Sequence, residues 1–304
     1  MNKPRIVVIG SINMDLVTEV SSWPKLGETM LGKNFYVKPG GKGANQAVAS
    51  SRLGAEVMMI GCVGDDVFGK QLIMNLKNEK VNTEHVDIIS NVSSGIATVI
   101  IYESDNSIAV VQGANKLLTP EVIRNKISVI KKADIILMQL EIPIETVYSV
   151  IDIADSFDIP IILNPAPSIQ LAKEKLDKIT VLTPNEYELL DIFDHNLDNS
   201  EDFKQIMSKS SGQVVMTKGE EGAFYTDGLE TIEHIPGIKV QAVDTTGAGD
   251  TFNGALAYQL SRGENLREAT KFAVAASALS VTKVGAQEGM PTSEDVDYFL
   301  KQKN

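Results

Sequence analysis

The segment Asp244–Asp250 reads DTTGAGD and ends in a carboxylate. A short strand is predicted just before it, over 238–243, and a helix just after it, over 251–260, whose first amides lack intrahelical partners. The two glycines permit positive φ and close approach, so these amides can converge on phosphate charge. A carboxylate there would repel phosphate unless it takes a proton from an attacking hydroxyl, which predicts Asp250 as a general base. A simple capped turn is the alternative.

A second glycine-rich segment, Gly40–Gln46, reads GGKGANQ and precedes an apolar helical stretch. Its glycines let the backbone meet a small ligand, and the side chains of Lys42 and Asn45 offer donors for hydroxyl groups. Asn13 and Asp15 follow the first predicted strand, at the edge where open α/β sheets bind ligands. The alternative for Gly40–Gln46 is a tight turn with a solvated lysine.

From the middle of the chain onward, continuous apolar runs alternate with amphipathic stretches, which predicts βαβ units and a doubly wound, mostly parallel sheet. The apolar runs 6–10 and 56–64 belong to the same sheet. Short strands joined by polar turns predict a small second sheet, at 16–20, 30–38, 96–102 and 107–112. No linker-like segment occurs, so 1–304 is predicted to be a single α/β domain with the small sheet from about 12–38 and 96–112.

The composition excludes several classes of partner and site. A net charge of −12 argues against nucleic acid or an anionic membrane surface as a partner, because both require basic faces. No apolar run approaches the roughly 18 residues of a membrane span, and no signal-peptide pattern precedes the first strand. The single cysteine, Cys62, excludes an internal disulfide and a cysteine-based zinc site, so a cytoplasmic location is expected.

Two further segments end predicted strands. Asn185 and Glu188, in TPNEYE, are spaced i and i+3 on one helical face and present oxygens suited to Mg²⁺ and its water shell. Ordinary helix capping is the alternative for this pair. Thr217–Gly222 follows the predicted strand QVVMT as a turn with two glycines, and by composition alone it could be any hairpin loop.

The motif DTTGAGDTFNG, which begins at Asp244, resembles the C-terminal signature of the ribokinase family of sugar and nucleoside kinases, also called the phosphofructokinase-B family. Gly40–Gln46 resembles the sugar-binding glycine motif of this family, and Gly10–Asp15 resembles its opening strand and turn. The order and spacing of these motifs match, and the similarity extends from Ile6 to Pro291. The resemblance implies a ribokinase-like fold in which the small sheet is a lid over the sugar.

The resemblance also implies an activity. It implies a kinase that uses ATP to convert D-ribose to D-ribose 5-phosphate, with Mg²⁺ as cofactor, K⁺ as activator, and a homodimer formed through the small sheet. One alternative is the same chemistry on a nucleoside, fructose or a ketodeoxy sugar. Another is a non-catalytic sugar sensor of the same fold, but the retention of Asp250 and of the Asn185–Glu188 pair argues against it.

Roles at matching positions follow from the resemblance. Asp250 is the implied general base, with an anion hole at Gly247, Ala248 and Gly249. Implied substrate-binding residues are Asn13, Asp15, Gly41, Lys42, Gly43, Ala44, Asn45, Glu141 and Asp250. Implied ATP-binding residues are Asn185, Thr217, Lys218, Gly219, Glu220, Glu221, Gly222, Gly249 and Val274. Implied metal sites are Asn185 and Glu188 for Mg²⁺, and Asp244, Thr246, Ser280, Lys283, Gly285 and Gly289 for K⁺.

The chain departs from the family pattern at two of these positions. Gly289 stands where the family usually carries serine, so a side-chain contribution to the K⁺ site is missing there. Val274 stands where a polar residue often contacts adenine. These departures make K⁺ activation and the base pocket less well specified than phosphoryl transfer.

Overall fold

A computed structural model describes residues 3–103, 105–193, 203–208, 210–227 and 231–303. The strands are β1 (Arg5–Ile9), β2 (Asn13–Glu19), β3 (Asn34–Gly40), β4 (Glu56–Gly64), β5 (Asn82–Ile89), β6 (Gly95–Tyr102), β7 (Asp105–Val111), β8 (Ile135–Met138), β9 (Ile161–Leu163), β10 (Val181–Leu182), β11 (Gln213–Thr217), β12 (Gly222–Asp227) and β13 (Thr231–Pro236).

The helices are α1 (Lys42–Arg52), α2 (Val67–Asn78), α3 (Pro120–Arg124), α4 (Ile127–Ile130), α5 (Ile144–Ser156), α6 (Lys173–Leu176), α7 (Glu186–Ile192), α8 (Phe203–Met207), α9 (Ala248–Ser261), α10 (Leu266–Ser280), α11 (Ala286–Gly289) and α12 (Ser293–Lys303). Short 3₁₀ turns lie at Gly113–Leu117 and Gly219–Glu221. Within the ranges that the structure describes, no helix has the length and apolar character that crossing a membrane requires.

The large sheet has nine strands in the order β13-β12-β11-β10-β9-β8-β1-β4-β5. All neighbours from β11 to β5 are parallel, and β12 and β13 add an antiparallel edge. β1 lies between β4 and β8, so strands that follow it in the chain lie on both sides of it. Such a switch point opens a crevice at the carboxyl ends of the strands, where ligands bind in doubly wound folds.

Helices cover both faces of the large sheet, which explains its continuous apolar runs. In β1, Ile6 and Val8 join a core with residues of α1, α2, α9 and α10, whereas Val7 and Ile9 join a core with residues of α3, α5 and α7. Every residue of the strand interior is therefore buried. The prediction of a doubly wound, mostly parallel sheet is confirmed.

The predicted second sheet is also present. Its strands have the order β3-β2-β6-β7, in which β2 pairs parallel with β6 and the other pairs are antiparallel. Asn13 opens β2 and pairs with Gly40 at the end of β3. This register brings the start of the small sheet directly to the glycine-rich segment before α1.

The strand predicted over 238–243 is absent, and that prediction is wrong. β13 ends at Pro236, and residues 237–246 adopt no regular secondary structure. The amides of Val243 and Asp244 donate instead to the carbonyl of Val281, at 2.7 and 3.2 Å. Alternating apolar residues form a strand only beside another strand, and here the backbone finds its acceptor at the end of α10. Helix α9 also begins at Ala248, earlier than predicted.

Candidate active site

The turn after β1 packs against the start of α1 without room for side chains. Gly41 has φ 89°, and a Cβ there would lie 2.6 Å from the amide nitrogen of Asn13. A Cβ at Gly43 would lie 2.6 Å from the amide nitrogen of Ser11. The amides of Gly43 and Ala44 donate to the hydroxyl and carbonyl oxygens of Ser11, at 3.3 and 2.9 Å. Gly43 and Ala44, which were predicted to bind the sugar, therefore hold the turn after β1 in place.

The carboxylate of Glu141 lies within reach of three hydrogen-bond donors. Its Oε2 accepts from the hydroxyl of Ser11 at 2.5 Å and from the backbone amide of Lys42 at 3.2 Å. Asn13 Nδ2 lies 3.5 Å from the same oxygen, while Asn13 Oδ1 accepts from Asn115 Nδ2 at 2.7 Å. The structure thus brings the predicted residues Asn13, Lys42 and Glu141 together, and it adds Asn115.

Opposed charges meet in this cluster. Burial, together with the charges of Glu141 and Asp250, raises the pKa of Asp15 to about 7. Burial disfavours the charged form of Lys42, but the carboxylates of Asp250, Glu141 and Glu188 outweigh it and raise the lysine pKa. Lys42 is therefore a cation held among carboxylates. Asp15, in contrast, changes its charge near neutral pH.

Asp250 lies in the first turn of α9 and is 8% exposed. Asn45 Nδ2 donates to its Oδ2 at 2.9 Å, and Gln46 Nε2 donates to its Oδ1 at 3.0 Å. Burial raises the pKa of Asp250, whereas the charge of Lys42 and these two donors act in the opposite direction. The side chain caps no amide of α9, since Gly247 is the N-cap residue. The capping alternative for Asp250 is therefore excluded.

The N-terminus of α9 supplies free amides beside this carboxylate. Gly247 has φ 76°, in the left-handed region that glycine favours. The amide of Ala248 already donates to the carbonyl of Thr245 at 3.2 Å. Among residues 231–303, no hydrogen bond has the amide of Gly247, Gly249 or Asp250 as its donor, apart from bonds inside α9. A Cβ at Gly249 would meet no atom within 4 Å, so an anion has room to approach.

Asn185 and Glu188 form a capping box at the start of α7. Asn185 Oδ1 accepts from the amides of Tyr187 and Glu188 at 2.9 and 2.8 Å, and Glu188 Oε2 accepts from the amide of Asn185 at 2.8 Å. Burial raises the pKa of Glu188. No group of three or more His, Cys, Asp or Glu residues suited to a metal occurs among the described residues. A single carboxylate fits Mg²⁺ held through its water shell and through phosphate oxygens.

The turn Thr217–Gly222 joins β11 to β12 and lies beside this capping box. Thr217 forms a parallel bridge with Asn185, and its amide donates to the carbonyl of Pro184 at 2.9 Å. Gly222 has φ 99°, and a Cβ there would overlap the carbonyl of Ile235. The two segments predicted to bind ATP are therefore neighbours at the carboxyl ends of β10 and β11.

Three of the residues predicted to bind K⁺ are joined by hydrogen bonds of the Asp244 carboxylate. Asp244 Oδ1 accepts from the amide of Thr246 at 2.9 Å, and its Oδ2 accepts from the amide of Gly285 at 2.8 Å. Desolvation opposes these donors, but they prevail and lower the pKa of Asp244. A Cβ at Gly289 would overlap the carbonyl oxygen of Ser280. The glycine that departs from the family pattern therefore packs directly against this carbonyl.

Two residues that were predicted to bind ATP or K⁺ have no hydrogen bond among the described residues that links them to the site. Val274 is 6% exposed and belongs to the apolar core of α9 and α10. The charge of Lys283 acts on Asp295, near the start of α12. Among the described residues, neither side chain forms a hydrogen bond or an ion pair with Asp250.

Comparison with known proteins identifies the family. The model of the pfkB family of carbohydrate kinases matches residues 3–293. The chain belongs to this family of carbohydrate kinases. Ribokinase of Bacillus subtilis is 47% identical over 295 residues, which cover 97% of this chain and 99% of that protein. Deoxyribokinase of Salmonella typhi is 38% identical over 304 residues, with coverage of 97% and 98%.

Solved structures of carbohydrate kinases agree with the fold. Arabidopsis thaliana ribokinase, complexed with ribose and ATP, superposes with a TM-score of 0.90 at 33% identity and 99% coverage of both chains. Thermotoga maritima ribokinase gives a TM-score of 0.89 at 34% identity, with coverage of 99% and 100%. The expected ribokinase-like fold is confirmed.

The site of this carbohydrate kinase also contains buried amides that the sequence did not single out. Gln46 contacts Asp250, and Gln287 Nε2 donates to Asn45 Oδ1 at 2.9 Å. Gln139 and Asn164 follow β8 and β9 directly and lie in the same network. The available signal was a polar residue ending an apolar run, at the sheet edge where ligands bind.

Proposed function

We propose that this kinase transfers the γ-phosphoryl group of ATP to the primary hydroxyl of D-ribose, which gives D-ribose 5-phosphate and ADP. One observation carries the proposal. The buried carboxylate of Asp250 lies in the first turn of α9, beside its free amides, and interacts with Lys42 and Glu141 of the cluster proposed to bind the sugar. A base placed between a hydroxyl site and an anion site is the arrangement that phosphoryl transfer requires.

Different residues are proposed to bind the sugar, to accept its proton and to stabilise the transferred phosphoryl group. Asn13, Asp15 and Glu141 orient the sugar through its hydroxyl groups, and Asp250 accepts the proton of the attacking hydroxyl. Lys42 favours the ionised carboxylate, because its positive charge acts on Asp250 directly. The amides of Gly247 and Gly249 stabilise the charge that develops on the transferred group.

The nucleotide is proposed to lie along the segments at the ends of β10 and β11. Thr217–Gly222 would border it, and Asn185 with Glu188 would hold Mg²⁺ through water. Mg²⁺ neutralises charge on the phosphates when it is bound. The small sheet acts as a lid over the sugar, since Asn13 and Asp15 belong to its strand β2.

We expect ribose to be preferred over adenosine as the acceptor. A base at C1 would leave a buried partner of the anomeric hydroxyl unpaired, which costs about 1–3 kcal/mol and gives at least roughly a tenfold preference in kcat/KM. Coupled assays with both acceptors measure it. The panel should include 2-deoxyribose, because one relative carries the name deoxyribokinase. A higher kcat/KM for adenosine would reject the free-sugar proposal and leave the phosphoryl-transfer machinery intact.

K⁺ is expected to activate the enzyme more than Na⁺. A cation bound at the loop of Asp244, Thr246 and Gly285 would order the start of α9, which carries the anion-binding amides. Initial rates in KCl and NaCl at matched ionic strength test this, with Asp244→Asn as the variant that should lose the difference. Equal rates in both salts for the unaltered enzyme would eliminate the monovalent site, and the packing of Gly289 against Ser280 would explain its loss.

We also propose a homodimer formed through the small sheet. Apolar side chains are exposed on both faces of this sheet, because the strand register places Phe35, Val37 and Val111 on one face and Ile108 and Val110 on the other. Covering one of these faces with a second copy removes apolar surface from water. A monomer in analytical ultracentrifugation would contradict this arrangement.

A cytoplasmic location is proposed as well, in keeping with the one cysteine, Cys62, which is buried and free.

A further inference from the structure

Gln46 is an amide without exposed surface that touches the proposed base. It lies in α1 and is 0% exposed. Its Nε2 donates to Asp250 Oδ1 at 3.0 Å and to Asn164 Oδ1 at 3.1 Å, and its Oε1 accepts from Gln139 Nε2 at 2.6 Å. Both hydrogens of the amide nitrogen and the carbonyl oxygen are therefore used.

The direction of these bonds is set by the carboxylate. An ionised Asp250 only accepts hydrogen bonds, so the nitrogen of Gln46 must face it and the oxygen of Gln46 must face away. That oxygen needs a donor, which requires Gln139 to present its own nitrogen. Gln139 Oε1 consequently lies buried without a partner among the described residues. A Cβ at Gly10 would overlap this oxygen, so Gly10 leaves the space that the orientation needs.

The other ends of the network are attached to the large sheet. Gln139 follows β8 directly, and Asn164 follows β9. Asn164 Nδ2 donates to the carbonyl of Thr183 at 3.1 Å, just after β10. Gln46 is thus fixed by two strand ends while it holds one oxygen of Asp250. A network that served only to pack α1 against the sheet would not need to end on a carboxylate.

We propose that Gln46 is a positioning residue that orients Asp250 Oδ1 and stabilises the ionised carboxylate, and that Gln139 fixes Gln46 in turn. The proposal rests on the proposed function, in which Asp250 accepts the proton of the sugar hydroxyl. A carboxylate held at both oxygens, by Asn45 and by Gln46, has one orientation when the hydroxyl arrives. The reaction then requires no reorientation of the base.

The charged groups that face Asp250 define what Gln46 adds. Lys42 on α1 favours the ionised form, while Glu141 after β8, Asp15 on β2 and Glu188 on α7 oppose it. After the charge of Lys42, the neutral donors Asn45 and Gln46 are the groups that favour the ionised carboxylate. Removal of the Gln46 donor should therefore raise the pKa of Asp250.

The test compares Gln46→Met with the unaltered enzyme. Methionine keeps the length of the side chain but donates no hydrogen bond, so kcat for ribose should fall about 10-fold while KM changes less than about threefold. The acid limb of the pH dependence of kcat should move up by about one pH unit, because more of Asp250 is protonated at a given pH. An unchanged acid limb with kcat within about twofold of the unaltered enzyme overturns the proposal.

A matched control separates positioning from folding. Thr270 in α10 is 0% exposed, and its hydroxyl has no partner among the described residues. Thr270→Val therefore removes a buried polar group outside the network and should leave both kcat and the acid limb unchanged. A shifted acid limb in Thr270→Val as well would overturn the assignment to Gln46.

A second readout does not depend on turnover. The ¹³C resonance of the Asp250 carboxyl, identified by its loss in Asp250→Asn, reports its titration in the ligand-free protein, and Gln46→Met should move the midpoint up. If Gln46→Met does not fold, Gln139→Met decides: a smaller upward move supports the proposal, and an unchanged midpoint overturns it. An unaltered enzyme inactive on ribose would contradict only the proposed function, because this titration needs no substrate.

Discussion

Asp250→Asn should lower kcat by about 10²- to 10⁴-fold, the usual contribution of a general base, while sugar affinity changes much less. An asparagine at this position keeps the size of the side chain but accepts no proton. Its nitrogen would also face Asn45 Nδ2 or Gln46 Nε2, both of which donate to the carboxylate. Steady-state kinetics with ribose and ATP, together with the dissociation constant for ribose alone, measure the two effects separately.

Asp66→Asn is the matched control for this prediction. Asp66 is the N-cap of α2 and accepts from the amide of Gly69 at 2.7 Å and from the hydroxyl of Ser94 at 2.7 Å. Its substitution should cost stability, because an asparagine nitrogen cannot accept from the amide of Ser94, which donates to Asp66 Oδ2 at 2.8 Å, and should leave kcat nearly unchanged. Near-normal turnover in Asp250→Asn would show that Asp250 has only a structural role and would refute the proposed mechanism.

The parts of the fold that the sequence predicted are those with local causes. Ile6 to Ile9 read as a strand because both faces of β1 are buried, so the apolar run is continuous. The failed strand over 238–243 has a different local signal, an alternation of apolar and polar residues, but no neighbouring strand accepts its hydrogen bonds. Pairing is a property of the tertiary structure, and alternation alone does not reveal it.

The same distinction applies to the active site. The glycine motifs predicted the starts of α1 and α9, because close packing and positive φ restrict the residue type at Gly41 and Gly247. The amide network had no such signal. Gln46 and Gln139 are separated by 93 positions in the chain, and each alone looks like a polar residue in an apolar context. Only the parallel arrangement of β8 and β9 brings their partners together.

Gly247→Ala should lower kcat by about 10²-fold, the usual effect of losing one donor to developing negative charge. Gly247 has φ 76°, and an added Cβ would lie 2.9 Å from the Cβ of Ala286 and 3.0 Å from its Cα. The start of α9 must shift to relieve this overlap, and the amides of Gly247 and Gly249 shift with it. Positive φ in alanine also costs about 1–2 kcal/mol of the free energy of unfolding.

Gly263→Ala isolates the backbone strain from the loss of anion-binding geometry. Gly263 follows the other end of α9 with φ 85°, and a Cβ there would meet no atom within 4 Å. Both variants should therefore lose about 1–2 kcal/mol in chemical unfolding, but Gly263→Ala should keep kcat within about twofold. If both variants lost activity equally, the loss would reflect general destabilisation. A lower kcat in Gly247→Ala alone would attribute the loss to the start of α9, where we propose that the free amides bind the transferred phosphoryl group.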